Sequence, residues 1–400
     1  MKKFITIITA VILLAVLITG CGSGTGSNES AMDTNGQIAD DKSPAGEEPV
    51  SDAVEDVSAV DGSKDTEAAA DISAADNSTA DTSTADSSAE DNSQNTDAAG
   101  DPKVITASDD TEKEIPNVYM TTNISPDGLM AVYKALGRTA DGKVAIKLHM
   151  GEPGGHNFLS PDLVKDFVQS LDGTFVDCNT AYGGRRATTA MHMQAAEDHG
   201  FAAVAPVDIM DADDTISLPI KNGKHLKEDV VGSHYQNYDF YVILSHFKGH
   251  EMGGFGGAIK NMSIGIASVK GKNLIHTAGK SSSSMWGGIQ DNFLESMAEA
   301  AKAVADDRGE RILYINVMNN LSIDCDCNGY PAKPDMADIG ILASLDPVAL
   351  DKACVDLVYA APDGQSLIRR MEAKNGIHTL EYAEEIGLGS QKYNLVKLDD

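Results

Sequence analysis

Lys143-Val144-Ala145-Ile146-Lys147-Leu148, then Ser160-Pro161-Asp162-Leu163-Val164-Lys165-Asp166-Phe167-Val168, then Thr174-Phe175-Val176-Asp177: these three consecutive stretches read as strand, helix and strand. The outer two are short apolar runs of the kind that fill a buried strand. The middle one opens on a Ser N-cap followed by Pro at the first helical position, where a missing N–H is harmless. Upstream, Ser125-Pro126-Asp127 repeats that opening before Leu129-Met130-Ala131-Val132-Tyr133, with Gly137 as the stop. Downstream, further strands are expected over residues 240–244, 311–317 and 338–343, and helices over 186–199, 292–305 and 347–359. Strands alternating with helices predict an α/β fold, a mainly parallel sheet with helices on both faces.

In such sheets ligands sit beyond the carboxyl ends of the strands. The polar residues that stand out fall in those places. His149 and Glu152 follow the first strand, and Cys178, Tyr182, Arg185 and Arg186 follow the second. Ser245-His246-Phe247-Lys248-Gly249-His250 and a glycine-rich run to Gly257 follow the third, and Asp324-Cys325-Asp326-Cys327 follows the fourth. Four strand ends therefore deliver His, Cys, Arg, Lys and Glu to one expected crevice.

The N-terminal third has a different character. Lys2 and Lys3 precede an uncharged apolar run from Phe4 to Ile18, too short for a spanning helix of about 20 residues but suited to a signal peptide over 1–20. Ile18-Thr19-Gly20-Cys21 resembles a bacterial lipobox, so Cys21 is the expected lipidation site, with palmitate-type chains holding the protein to the cell membrane on its extracytoplasmic face. Each chain contributes about 0.8 kcal/mol per buried methylene, and two or three chains anchor stably. Residues 22–113 hold 23 acidic residues against 4 lysines and no Phe, Tyr or Trp. Such a composition buries too little apolar surface to offset the entropy of ordering the backbone, so 21–113 is expected to be a disordered acidic tether with a span of about 50 Å. The folded domain is expected over 114–400. No basic stripe exists to attract nucleic acid.

The run from Ser245 through Lys260 and Asn261 to Gly265 resembles the signature of the DUF362 family. So do Tyr182-Gly183-Gly184-Arg185-Arg186, Asp324-Cys325-Asp326-Cys327 and the stretch from Asp338 to Asp351. Members of that family are often iron–sulfur-associated through an added ferredoxin module, so the resemblance implies a metal ion or an iron–sulfur centre as the cofactor class. This chain has no Cys-x-x-Cys-x-x-Cys-x-x-x-Cys-Pro run; apart from Cys21 it carries Cys178, Cys325, Cys327 and Cys354.

The residues themselves suggest three roles. Gly253, Gly254, Gly256 and Gly257 offer unhindered backbone N–H groups ahead of a helix, and with Arg185, Arg186, Lys248, Lys260 and Asn261 they could cradle a small anion. Cys325 and Cys327, with His246 and His250, form a candidate metal site; a strained disulfide and unreactive free thiols are the other readings of the two cysteines. Asp324 and Asp326 are expected to raise the thiol pKa values by like-charge repulsion. His149 and Glu152 are candidates for a base and its orienting partner. Cys354, His192 and His199 read as packing residues, and Trp286 as a lid or platform behind Ser281–Ser284. There is no Gly-x-Ser-x-Gly elbow, no Walker loop and no His-Glu-x-x-His. Two functions remain in view: a metal-dependent or redox-active protein acting on a small anionic ligand, and a non-catalytic ligand-binding lipoprotein. A pocket lined by Arg and Lys without clustered thiols would favour the second.

Overall fold

The computed structural model describes residues 114–399. The signal peptide read over 1–20, Cys21 and the tether to 113 lie outside the described residues. In chain order the elements are β1 (Asn117–Thr121), α1 (Pro126–Ala135), β2 (Val144–Lys147), α2 (Pro161–Ser170), β3 (Thr174–Asp177), α3 (Thr189–Asp198) and β4 (Val207–Ile209). A hairpin of β5 (Thr215–Pro219) and β6 (Glu228–Gly232) follows, then β7 (Phe240–His246), a small hairpin of β8 (Lys248–His250) and β9 (Gly254–Gly256), and the helices α4 (Ala258–Ser263), α5 (Val269–His276) and α6 (Gln290–Arg308). The chain ends with β10 (Ile312–Met318), β11 (Gly340–Ser344), α7 (Pro347–Ala360), α8 (Gln365–Ala373), α9 (His378–Glu385) and β12 (Asn394–Lys397).

Eight strands form one sheet in the order β12-β1-β11-β10-β7-β2-β3-β4. The pairs β10–β7, β7–β2, β2–β3, β3–β4 and β1–β12 are parallel, and β11 runs against both β10 and β1. The sheet is thus mainly parallel, as expected, with β11 as its reversed strand.

Side-chain alternation along the strands divides the core in two. Phe240, Val242 and Leu244 of β7 face one cluster with α1 and α2, while Tyr241 and Ile243 face the other with α4, α6 and α7. Strands buried on both faces read as continuous apolar runs, which is why β7 and β10 were visible without alternation. Each such side chain contributes roughly 1.5–3 kcal/mol on burial.

Local chemistry explains the helix starts. Ser125 Oγ accepts from Gly128 N at 3.2 Å and Ser160 Oγ from Asp162 N at 3.2 Å, so both expected N-caps form. The helix expected from 186 begins instead at Thr189, because Thr188 is its N-cap and its Oγ1 accepts from Met191 N. Arg185 and Arg186 therefore lie in the loop before that helix.

From β2 the chain proceeds outward to β3 and β4 on one side, and β7 and β10 lie on the other. The order reverses between β2 and β7. That reversal leaves a crevice at the carboxyl ends, because the helices after β2 and those after β7 pack on opposite faces.

Candidate functional site

The floor of the crevice is a set of buried ion pairs. Lys147 ends β2 and is 1% exposed. Its Nζ lies 3.1 Å from Asp177 Oδ1 and donates to Asn261 Oδ1 at 2.9 Å. Burial, only partly opposed by Asp177, lowers the Lys147 pKa. Gly265 makes room for this lysine, since a Cβ there would stand 2.6 Å from Lys147 Cε. Asn261 Nδ2 donates to the carbonyls of Lys147 and Leu244 and to Ser245 Oγ at 3.0–3.1 Å. With both polar atoms engaged, Asn261 joins β2 to β7, and it lines a small cavity with Lys248 and Lys260.

Arg186 is also interior. It is 2% exposed, with Nε donating to Glu152 Oε2 at 2.8 Å and Nη2 to Tyr182 Oη at 2.7 Å. Glu152 also accepts from the Arg185 amide at 3.1 Å. Arg185 itself has an exposed side chain. His149 Nε2 lies 3.0 Å from Arg186 Nη2, and its Nδ1 faces Gly151 N at 3.1 Å. A neutral ring has one acceptor nitrogen, so only one of those contacts is a hydrogen bond. The structure does not join His149 to Glu152 as base and orienter: Arg186 stands between them and occupies the carboxylate. Burial first, then Arg186, holds the His149 pKa well below the usual histidine range.

At the end of β7 the carboxylate of Asp326 accepts from His246 Nδ1 at 2.9 Å and pairs with Lys248 Nζ at 2.9 Å. His246 Nε2 lies 2.6 Å from the Asn319 carbonyl. Both ring nitrogens face acceptors, so His246 is withdrawn from the expected metal set. Burial acts to raise the Asp326 pKa, but His246 and Lys248 hold it well below the carboxylate range. Lys248 is likewise paired with Asp326.

The glycine run forms the β8–β9 hairpin and the start of α4. The first amides of that helix already hold an anion: Ala258 N and Ile259 N donate to Asp351 of α7 at 2.7 and 2.9 Å. Gly257 is required by that approach, because a Cβ would come within 2.3 Å of Asp351 Oδ1. Of the expected cradle of Gly253, Gly254, Gly256 and Gly257, Gly253 N donates to His250 Nδ1 at 2.8 Å and Gly254 and Gly256 pair with β8, while Gly256 and Gly257 line a small second cavity with Lys248, Lys260 and Asn261.

What the strand ends do bring together is Cys325, Cys327 and His250. One ligand atom from each lies within 4.8 Å of the other two. Both cysteines are free thiols in the structure. A hydrogen bond from Cys327, working against burial and helped by Lys260 and Lys248, holds the Cys325 pKa well below the thiol range, while the same bond and burial push Cys327 up. The repulsion expected from Asp326 is present but outweighed; Asp324 is turned to Ala332 N at 2.8 Å. Lys260 Nζ stands 3.7 Å from Cys325 Sγ. Cys178 is apart, donating to the Ile266 carbonyl at 3.2 Å, and Cys354 packs in the core beside Asn316.

A pocket of about 280 Å3 opens over this group, lined among others by His149, Arg186, His250, Lys260, Cys327, Lys272 and His276, with Met285 and Trp286 at its rim. Lys272 and His276 carried no role in the sequence reading. Their only signal was a cluster of polar residues on a short helix, α5, after the glycine run.

A family model described as "Domain of unknown function (DUF362)" matches residues 144–356. No curated protein matches. Among solved structures, the lactate racemase apoprotein from Thermoanaerobacterium thermosaccharolyticum is similar, with a TM-score of 0.34 and 15% identity over 51% of this chain and 50% of that one. A protein from Thermotoga maritima gives a TM-score of 0.36 and 10% identity over 65% of this chain and 58% of that one. The chain thus spans between half and three-fifths of the length of these structures.

Proposed function

Because the chain belongs to the DUF362 family, whose name assigns no reaction, we propose a function from its own residues: a membrane-tethered, extracytoplasmic protein that holds a soft or borderline divalent metal through Cys325, Cys327 and His250 and presents it to a small anionic ligand. One observation carries the metal reading, the approach of three such ligand atoms to within 4.8 Å of one another at a pocket wall. Two thiols and an imidazole suit zinc and other thiophilic ions. Three protein ligands leave one position of a tetrahedral ion open, as catalytic zinc sites do, and a bound ion would supply Lewis acidity there. Lys260, beside Cys325, would contribute positive charge for the anion.

The metal reading is tested by elemental analysis of protein purified under reduction, with cobalt(II) absorption as a second probe. About one ion per chain is expected, and none in Cys325→Ala/Cys327→Ala. A metal-free wild type that also fails to take up cobalt sinks it. The tether rests on Lys2, Lys3, the apolar run and Ile18-Thr19-Gly20-Cys21; a fatty-acid analogue should label the wild type and not Cys21→Ser, and equal labelling removes it.

A second reading, a dithiol that works by redox change without a metal, is favoured by the state of His250. Its Nδ1 accepts from Gly253 N at 2.8 Å and Met252 N at 3.3 Å, so the neutral ring carries its proton on Nε2. Metal binding at Nε2 requires that proton to leave or the ring to turn over.

A further inference from the structure

We propose that the pocket selects a small dianion, a dicarboxylate or a phosphate monoester, with its charged groups between Lys260 and Lys272 and its remaining body against Trp286. This rests on the anion-binding part of the reading above and not on its metal part.

The charge balance of the site motivates it. Three buried acids are each paired with a cation: Asp177 with Lys147, Glu152 with Arg186, and Asp326 with Lys248. Lys260 and Lys272 are the pocket-lining lysines outside these pairs, and Glu251, which is exposed, is the one lining acid outside them. Lys272 is 7% exposed, and its Nζ donates to the Ala267 carbonyl at 2.5 Å. The acid whose field reaches it is Asp229, yet neither oxygen of Asp229 has a hydrogen-bond partner, and burial pushes that carboxyl up to about 8. Among the described residues neither oxygen of Asp229 takes a hydrogen bond from Lys272, so Asp229 is not its hydrogen-bonded counter-ion. Lys260 has only the sulfur of Cys325, 3.7 Å away, as a charged-group partner.

Lys272 is buried and Lys260 half-buried, and an ammonium withdrawn from water without a counter-charge is unfavourable, which favours a ligand that brings that charge. One carboxylate would answer one lysine; two charges answer both. The neighbouring imidazoles record the same positive field. His276 is lowered to about 4 by burial first, and then by Lys260 and Lys272. The size is also restrictive, since about 280 Å3 lies near the lower end of pockets that enclose small molecules. Trp286, 66% exposed at the rim, offers an apolar face to whatever part of the ligand is uncharged.

Trp286 is the single tryptophan of the chain and a built-in reporter. The full chain is titrated with succinate, phenyl phosphate and benzoate, reading its emission, with calorimetry as a second measurement and metal content determined on the same samples. At least one dianion should bind about tenfold or more tightly than benzoate, a difference of about 1.4 kcal/mol. Lys260→Met and Lys272→Met should abolish that preference, and Lys272→Arg, which keeps the charge, should retain it. The tighter of the two dianions identifies its source as dicarboxylate or phosphate ester. Benzoate binding as tightly as both dianions, no binding of either dianion by calorimetry, or an undiminished preference in Lys260→Met overturns the proposal. Dianion selectivity in metal-free protein leaves it standing and removes only the metal reading.

Discussion

Replacing Asp326 by Asn should be among the most damaging single changes in the domain. Its carboxylate is 3% exposed and compensates two groups, His246 Nδ1 at 2.9 Å and Lys248 Nζ at 2.9 Å. Asparagine keeps the shape but leaves a buried lysine without its counter-charge, and breaking a buried pair from one side costs about 3–5 kcal/mol. For a domain of this size that corresponds to a fall in Tm on the order of 10 °C. Asp324, two residues away, provides the contrast. Its carboxylate is 3.9 Å from Arg370 Nη2 and one-fifth exposed, so Asp324→Asn should cost less than about 1 kcal/mol. Adding Lys248→Met to Asp326→Asn should recover part of the loss, because it removes the stranded charge. The sign of the pH effect follows from the low Asp326 pKa: its stabilisation is present above the ordinary carboxylate value, about 4, and is lost as pH falls toward the folded value. Urea unfolding followed by circular dichroism measures all of this. An Asp326→Asn protein within about 1 kcal/mol of wild type would refute the view that this carboxylate holds the cysteine loop to the end of β7.

Two further outcomes are expected. Gly257→Ala should destabilise by about 1–3 kcal/mol in the same assay, because the new methyl would meet Asp351 Oδ1 at 2.3 Å; an unchanged midpoint would show that α7 can give way. Asp229, raised to about 8 in the fold, contributes stability that is complete below the unfolded value near 4 and is lost as pH rises to about 8. Asp229→Asn should flatten the decline of unfolding free energy across that window, and parallel profiles for the two proteins would contradict it.

The fold was legible where the signal is local. Ser125 and Ser160 cap helices through atoms two or three residues away, and β7 and β10 declare themselves by apolar runs. The gathering of polar residues from several strand ends at one edge was legible too, since parallel strands end together. The partners were not. Lys147 is a lone charge inside an apolar strand, and its acid arrives from the next strand. Asp351 sits on a helix almost one hundred residues from the amides it holds. Arg186 reads as the first residue of a helix and as an anion ligand, but the true cap is Thr188, and the loop turns the guanidinium inward onto Glu152. In each case the deciding contact joins segments distant in sequence, which spacing cannot reveal. His246 and His250 show the same limit at short range: strand geometry commits one to Asp326 and leaves the other beside the thiols.

The direction of β1 fixes the edge of the sheet at which the described chain enters it. β1 is antiparallel to β11, which is antiparallel to β10, so β1 starts at the same end of the sheet as β10, β7, β2 and β3. Asn117, where the chain enters the sheet, is thus at the amino-terminal edge, whereas Cys325, Cys327 and the pocket occupy the carboxyl-terminal edge. An attachment made at Asn117 would thus leave the mouth of the pocket clear, at the far edge of the sheet.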